Sequence, residues 1–110
     1  MSDLNTDVIH GTLDLLILKT LSLEPLHGFG IARRVEQVSG GVFKVNPGSF
    51  FPALYRMEQE GWIRGSWSAT ENNRRAKFYR LTRAGRRQLT LECRTWERLT
   101  GAIDQILQTS

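Results

Sequence analysis

The sequence predicts a mainly helical domain with one small β-hairpin. Apolar residues recur at helical spacing in four separate segments. Two short β-prone segments, joined by the turn at residues 70–73, follow the third of these segments. The chain of 110 residues has the size of one domain, and its longest apolar run, residues 15–18, is too short to cross a membrane.

The first helix is expected to begin at Thr12 and to stop before Pro25. Thr12 suits an N-cap, and Asp14 follows in the first turn, where the helix dipole favours an acid. Apolar residues at steps of three and four form one face: Leu13, Leu16, Ile17 and Leu21. Residues 1–7 precede this helix as a loose arm.

A second helix is expected between His27 and Val38, with His27 as its cap and a stop at the serine and two glycines that follow. Its apolar face consists of Val35 and Val38 together with either Phe29 or Ile31. A short extended segment, residues 42–45, leads to the third helix.

The third helix begins near Pro47 and ends at Gly61. Asn46 can cap it with Pro47 at the first helical position, or Ser49 can cap it with Pro52 in the first turn. A proline costs little in both cases, because the first amides of a helix have no partner inside it. On a helical wheel the following residues share one face and anchor the helix to the core: Phe50, Leu54, Met57 and Gly61.

The far face of the third helix has the composition of a DNA-reading surface. Its members are Gly48, Pro52, Tyr55, Arg56 and Gln59. Gly48 and Ser49 keep the start of the helix slim, so that a phosphate can approach its N-terminus. Further along, an arginine can bind guanine and a glutamine can bind adenine.

A basic block follows, in and after the hairpin predicted at residues 62–69 and 77–81. Seven of the 15 basic residues lie between positions 74 and 87, and no acid lies between positions 71 and 92. Such a block is typical of a surface that binds a polyanion. We expect Arg74, Arg75 and Lys77 to contact phosphates or the minor groove, and Lys44 to contact the DNA backbone.

A long last helix is expected from the cap Thr82 to about Gln108. The following apolar residues form a seam along it, with Cys93 at its edge: Leu89, Trp96, Leu99, Ile103 and Ile106. About 26 residues give a helix of roughly 39 Å, longer than a small domain can cover. We therefore expect this seam to be the interface of a homodimer.

The order of three helices, a hairpin and a helix is that of a winged helix-turn-helix, whose third helix enters the major groove. Residues 1–81 are then the DNA-binding domain with its arm, and residues 82–110 are the dimerisation helix, in one compact unit. Double-stranded DNA and a second copy of the chain are the expected partners. A protein-interaction adaptor without specific DNA binding is the alternative, favoured by Phe29 and Phe51.

Other functional classes lack support in the sequence. There is no nucleophile paired with a base, no pair of carboxylates in an apolar setting and no phosphate-binding loop, so we do not expect an enzyme. His10 and His27 have no further ligands at metal-binding spacing, and Cys93 is the only cysteine, so no metal or other cofactor is expected. The polar, acidic N-terminus is unlike a signal peptide, and a cytoplasmic protein is expected.

Three stretches of the sequence read LDLLILKTLSLEPLHGFGIARRVEQ, NPGSFFPALYRMEQEGWI and RRAKFYRLTRAGRRQL. Together they resemble the PadR family of bacterial transcriptional regulators. The similarity covers residues 12–107, and the length matches the short members with a single C-terminal helix. The resemblance implies a homodimer that binds a palindromic operator, usually as a repressor, and that dimerises through its C-terminal and first helices.

The resemblance also bears on ligands and on two aromatic positions. In some relatives the dimer interface holds a flat aromatic ligand, and a tryptophan where Trp96 falls can line that cavity. The family often has tyrosine where this sequence has Phe29 and Phe51. A tyrosine hydroxyl can bind a phosphate, and losing one such bond costs about 0.5–1.5 kcal/mol.

Overall fold

The computed structural model describes residues 12–110 and the backbone of Leu4–Asn5. The predicted fold class is confirmed: four helices accompany a small antiparallel sheet. The elements are β1 (Leu4–Asn5), α1 (Thr12–Leu23), β2 (Leu26–His27), α2 (Gly28–Val38), β3 (Phe43–Lys44), α3 (Pro47–Gln59), β4 (Ile63–Ala69), β5 (Arg75–Leu81) and α4 (Arg83–Leu107). The arm predicted at residues 1–7 lies outside the described residues, except for the backbone of β1, which pairs in parallel with β3.

The core lies between the first three helices and the base of the sheet. From α3 it takes Phe50, Leu54 and Met57, each at most 1% exposed. They pack with apolar side chains of the other elements: Leu13, Ile17, Leu18, Leu21, Ile31, Ile63 and Leu81. The predicted inner face of the third helix is thereby confirmed. Gly61 alone leaves it, because the chain turns there with φ +79° and exposes the glycine.

Three of the predicted helix caps are present. The His27 ring accepts a hydrogen bond from the Gly30 amide at the start of α2, and the Thr82 hydroxyl accepts one from the Gly85 amide at the start of α4. At α3 the first of the two predicted starts is correct, because Asn46 accepts from the Gly48 amide and Pro47 takes the first helical position. Thr12 differs from its prediction, since it is the first helical residue of α1.

The apolar face of α2 differs in part from its prediction. Ile31 and Val35 are buried, and Ile31 has no exposed surface at all. Phe29 is 71% exposed, because it lies two residues, or about 200°, around the helix from Ile31. Val38 is 77% exposed, because it is the last residue of α2 and extends past the core. Ile31 is therefore the core residue, and Phe29 is on the surface.

The sheet has three strands in the order β2-β5-β4, all antiparallel. The β4–β5 hairpin runs from the buried pair Ile63 and Leu81 to the exposed pair Ala69 and Arg75. Asn73, with φ 59°, helps to turn the chain at its tip. The short strand β2 was not predicted; it pairs Leu26 with Tyr79 and so ties the start of α2 to the hairpin. This hairpin is the wing of the fold.

The helix α4 packs against α1 at its start and then leaves the domain. Between residues 94 and 110 every residue except Thr100 is exposed. The radius of gyration, 15.3 Å, exceeds the value of about 13 Å expected for a compact chain of this length. The second half of α4 accounts for the difference.

The junction between the wing and α4 is built around a glycine and a threonine. The Thr82 hydroxyl lies 2.5 Å from the Gly61 carbonyl oxygen and 3.0 Å from that of Trp62. Gly85, in the first turn of α4, is buried directly against the Trp62 carbonyl, and a Cβ atom there would overlap it. The close approach of α4 to the end of α3 therefore requires glycine at position 85.

We expect Gly85→Ala to lower the free energy of unfolding by about 1–3 kcal/mol, as over-packing does at a rigid backbone contact. Gly101→Ala is the matched control, because it lies in the same helix and a Cβ atom there would meet no other atom within 4 Å. It should raise stability by about 0.5–1 kcal/mol through helix propensity. Urea unfolding followed by circular dichroism measures both, and equal effects would contradict the packing argument.

Candidate nucleic-acid interface

The helix α3 presents a continuous exposed strip on the side away from the core. The strip consists of Gly48, Pro52, Tyr55 and Gln59, all exposed. These positions fall within about 60° of arc on the helix, centred opposite Phe50. Tyr55 is 67% exposed, so its ring and hydroxyl both face solvent. Four of the predicted DNA-contacting residues therefore share one surface, which we call the α3 strip.

The first turn of α3 is narrow and has an open backbone. Pro47 and Gly48 at its start are exposed, and Ser49 is half-buried, with its hydroxyl donating to the Asn46 carbonyl. Pro52 has no N–H for the Gly48 carbonyl, four residues earlier in the helix. The Gly48 carbonyl oxygen, which would accept a hydrogen bond inside an uninterrupted helix, thus lies on the exposed strip.

An aromatic group borders the α3 strip on one flank. The rings of Phe29 and Phe51 meet edge to face with centroids 5.8 Å apart, and Phe51 meets the buried Phe50 in the same way at 5.2 Å. Phe51 is 41% exposed and packs against Gly28, at the start of α2. The pair thus joins α2 to α3 and presents an apolar surface where a hydroxyl is common in the resembled family.

Arg56 lies beside the strip and is held by an acid of the first helix. Its guanidinium donates to the Asp14 carboxylate across 2.6 Å. This hydrogen bond is the main reason that the pKa of Arg56 is raised; burial opposes the rise, and the charges of Asp14, Glu60 and Glu92 add to it. The predicted base-reading arginine is therefore engaged with α1 in this structure.

Lys77, predicted to contact DNA, is also engaged with an acid. Its ammonium group donates to the Glu58 carboxylate at 2.8 Å and lies 5.5 Å from the centre of the Tyr79 ring. The bond to Glu58 is the main reason that the pKa of Lys77 is raised. Burial raises the pKa of Tyr79, and the positive charge of Lys77 opposes that rise. This contact fastens the wing to α3.

The tip of the wing carries two exposed arginines. Arg74 and Arg75 are both exposed, and the guanidinium of Arg75 lies 5.5 Å from the centre of the Trp67 ring. Trp67 is 61% exposed on the hairpin and supports Arg75 by a cation–π contact. Lys44 is exposed in β3, just before α3. These cations lie on the elements that flank the α3 strip in the chain.

The predicted dimer residues divide into two groups along α4. Leu89, which packs against the core, and Cys93 are half-buried. The remaining four are exposed, to 37% for Trp96, 49% for Leu99, 44% for Ile103 and 72% for Ile106. An open depression on the same part of the helix is lined by Leu99, Ala102 and Gln105, among others, and not by Trp96.

Two kinds of site are absent from the described residues. Among residues 12–110 no group of three or more histidine, cysteine or acidic side chains could hold a metal ion. In the same part of the chain, no helix combines the length and the apolar character that a membrane span requires.

Comparison with known proteins identifies the family. The profile of the PadR-like family of transcriptional regulators matches residues 17–91, which include the second half of α1, all of α2, α3 and the wing, and the start of α4. The chain belongs to the PadR-like family. It is therefore a transcriptional regulator of a DNA-binding family, and this family does not consist of enzymes.

Two individual proteins are similar to this chain in sequence. A 37.1 kDa protein of transposon TN4556 from Streptomyces fradiae is 37% identical over 89 residues, which are 81% of this chain but 24% of that protein. The transcriptional regulator Rv3488 of Mycobacterium tuberculosis is 32% identical over 68 residues, 62% of this chain and 63% of that one. The chain thus spans only part of the length of both.

A solved structure supports the same fold over almost the whole length. A PadR-like transcriptional regulator of Bacillus cereus has a TM-score of 0.80 and 26% identity, and the match covers 96% of this chain and 100% of that one. The resemblance expected from the sequence is thereby confirmed.

The structure also contains functional candidates that the sequence does not single out. Asp14 stands out in the sequence only for its helix-dipole position, and Glu58 does not stand out, yet each binds a predicted DNA-contacting cation. Asp14 and Arg56 are 42 positions apart in the chain, so no spacing rule joins them. Glu58 is a helical acid with the ordinary appearance of a surface residue. Only the packed arrangement of the elements reveals the two ion pairs.

Proposed function

We propose that this PadR-like protein is a sequence-specific DNA-binding repressor that works as a homodimer on a palindromic operator. The observation that carries this proposal is the exposed α3 strip, made of small, aromatic and amide groups, beside a wing with exposed arginines at its tip. The adaptor alternative rests on one aromatic pair alone, Phe29 and Phe51, whose rings meet edge to face at 5.8 Å. The regulator would act in the cytoplasm, where bacterial DNA lies.

The α3 strip supplies the sequence reading. Gln59 can bind the donor and acceptor of adenine together, and the Tyr55 ring can contact a thymine methyl group. Gly48 and Pro52 let the start of α3 come close to the groove, where the positive end of the helix dipole favours a phosphate. The half-buried Ser49 supports this turn from inside rather than from the strip.

The wing and β3 supply contacts that do not depend on sequence. Arg74 and Arg75 extend from the tip toward the backbone or the minor groove, and Lys44 precedes α3 on the side of β3. Lys77 acts mainly through Glu58, which keeps the wing beside α3. This division assigns residues 1–81 to DNA and residues 82–110 to dimerisation.

The exposed part of α4 supplies the dimer contact and the candidate effector site. Trp96, Leu99, Ile103 and Ile106 would pack on the same residues of a second copy, since a two-fold interface uses the same surface on both chains. The two copies of α3 would then reach successive turns of the major groove, about 34 Å apart. A flat aromatic molecule stacked on Trp96 between the copies would release the operator by changing that distance.

Gln59→Ala should remove the preference at one base pair of each half-site and cost about 1–3 kcal/mol on the preferred duplex. The duplex is the one that the wild-type protein selects from a randomised library, or the DNA upstream of its own gene. Fluorescence anisotropy compares it with a scrambled duplex. Gln105→Ala, at an exposed position far along α4, is the control and should change neither. If Gln59→Ala keeps the full preference, α3 does not read the bases through this residue.

Arg74→Ala combined with Arg75→Ala should weaken binding to the selected and the scrambled duplex alike. The slope of log affinity against log salt should become shallower by about 0.9 for each phosphate that the variant no longer neutralises. Arg94→Ala, which removes an exposed arginine of α4, is the matched control. A weakening confined to the selected duplex would show that the wing reads sequence instead.

Ile103→Glu should convert the dimer to a monomer, because it places a charge in the apolar contact. Gln105→Glu adds the same charge about 200° around the helix and should leave the dimer intact. Light scattering after size exclusion distinguishes twice the chain mass of 12.6 kDa from that mass itself. A wild-type protein of single-chain mass would contradict the dimer.

A further inference from the structure

We propose that Arg56 is a positioning residue that fixes the recognition helix, and that base reading belongs to the α3 strip without it. The inference rests on the proposed DNA-binding function. It differs from the sequence-based expectation that Arg56 binds guanine. The contacts of Arg56, of its acidic neighbours and of the opposite flank of α3 support it.

The place of Arg56 on the helix is the first argument. It lies about 60° around α3 from Gln59, toward the side that faces α1. Its guanidinium is already used by the Asp14 carboxylate at 2.6 Å. The Asp14 side chain is 17% exposed, so it depends on this partner far more than a surface acid would. Moving Arg56 to a base would leave Asp14 largely buried without its cation.

The electrostatic surroundings of Arg56 are the second argument. Three carboxylates act on its charge: Asp14 from α1, Glu60 from the end of α3 and Glu92 from α4. Glu92 is itself held by a hydrogen bond from the Gln88 amide. The attraction of these carboxylates competes with that of a phosphate backbone for the charge of Arg56. Asp14 is the one of the three that binds it directly.

The opposite flank of α3 gives the third argument. Glu58 lies about 160° around the helix from Arg56 and binds Lys77 of the wing at 2.8 Å. The α3 strip runs between these two ion pairs. One pair fixes α3 against α1 and the other fixes it against the wing, so together they set the rotation of the helix about its own axis. A rotation of this kind would move Gln59 and Tyr55 relative to the bases.

The test uses three full-length variants: Asp14→Asn, Arg56→Gln and the double variant. The ratio of affinities for the duplex that wild-type protein selects from a randomised library and for a scrambled duplex is measured by anisotropy. A positioning role predicts that each single change lowers this ratio about tenfold and that the double variant lowers it no further, since both changes break the same ion pair. Asp104→Asn, an exposed acid on α4, is the charge-matched control and should keep the ratio.

Direct base reading predicts the opposite sign for one variant. Asp14→Asn would release Arg56 and keep or raise the ratio, while Arg56→Gln alone would lower it. Repeating the selection with Arg56→Gln adds a second readout: base reading relaxes one base pair, whereas loss of positioning weakens the preference along the whole half-site. A neutral Asp14→Asn, or relaxation at a single base pair, overturns the proposal.

A measurement without DNA separates this inference from the proposed function. Amide hydrogen exchange at Ala53, Leu54 and Met57 should become about tenfold faster in Asp14→Asn, while the amides shared by β4 and β5 stay unchanged. If wild-type protein selects no duplex, the proposed function fails and the exchange result alone decides whether Asp14 fixes α3. Unchanged exchange in α3 would overturn the positioning role.

Discussion

Burial of one side of α3 is the constraint on which the rest of the molecule depends. Phe50, Leu54 and Met57 close the space between α1, α2 and the base of the sheet, and all are at most 1% exposed. Each such side chain contributes about 1.5–3 kcal/mol when it leaves water. Once that side is fixed, the opposite side of the helix has only one direction to face. The buried residues of α3 thus determine which residues of the helix are exposed to a partner.

Local rules predicted the parts of the fold that depend on neighbours in the chain. The caps at His27 and Thr82, the proline after Asn46 and the apolar spacing of α3 are all short-range signals. The strand β2 was missed because its two residues form a strand only by pairing with β5. The roles of Arg56 and Lys77 could not be read for the same reason. Their acidic partners lie on other elements or at unremarkable positions, and charge counted along the chain treats a paired cation as an available one.

Fewer cations are therefore available to bind DNA than the sequence indicates. The structure uses two of the expected DNA-facing cations to hold its own elements together and leaves Arg74 and Arg75 exposed at the tip of the wing. Long-range attraction to a polyanion needs only net charge of the right sign, here +4 for the chain. Discrimination between sequences instead needs a rigid arrangement of groups. Asp14 and Glu58 reduce the attraction to DNA, because each pairs with a cation, and the same two ion pairs provide part of that rigidity.

The contact of Gly85 with Trp62 sets the direction in which α4 leaves the end of α3. Twenty-five residues at 1.5 Å each give an arm of about 38 Å. A tilt of about 5° at Thr82 and Gly85 moves the far end of that arm by roughly 3 Å, close to the rise of one base pair in duplex DNA. In a dimer joined along α4, as proposed, the distance between the two recognition helices would therefore depend on how Gly85 packs on Trp62.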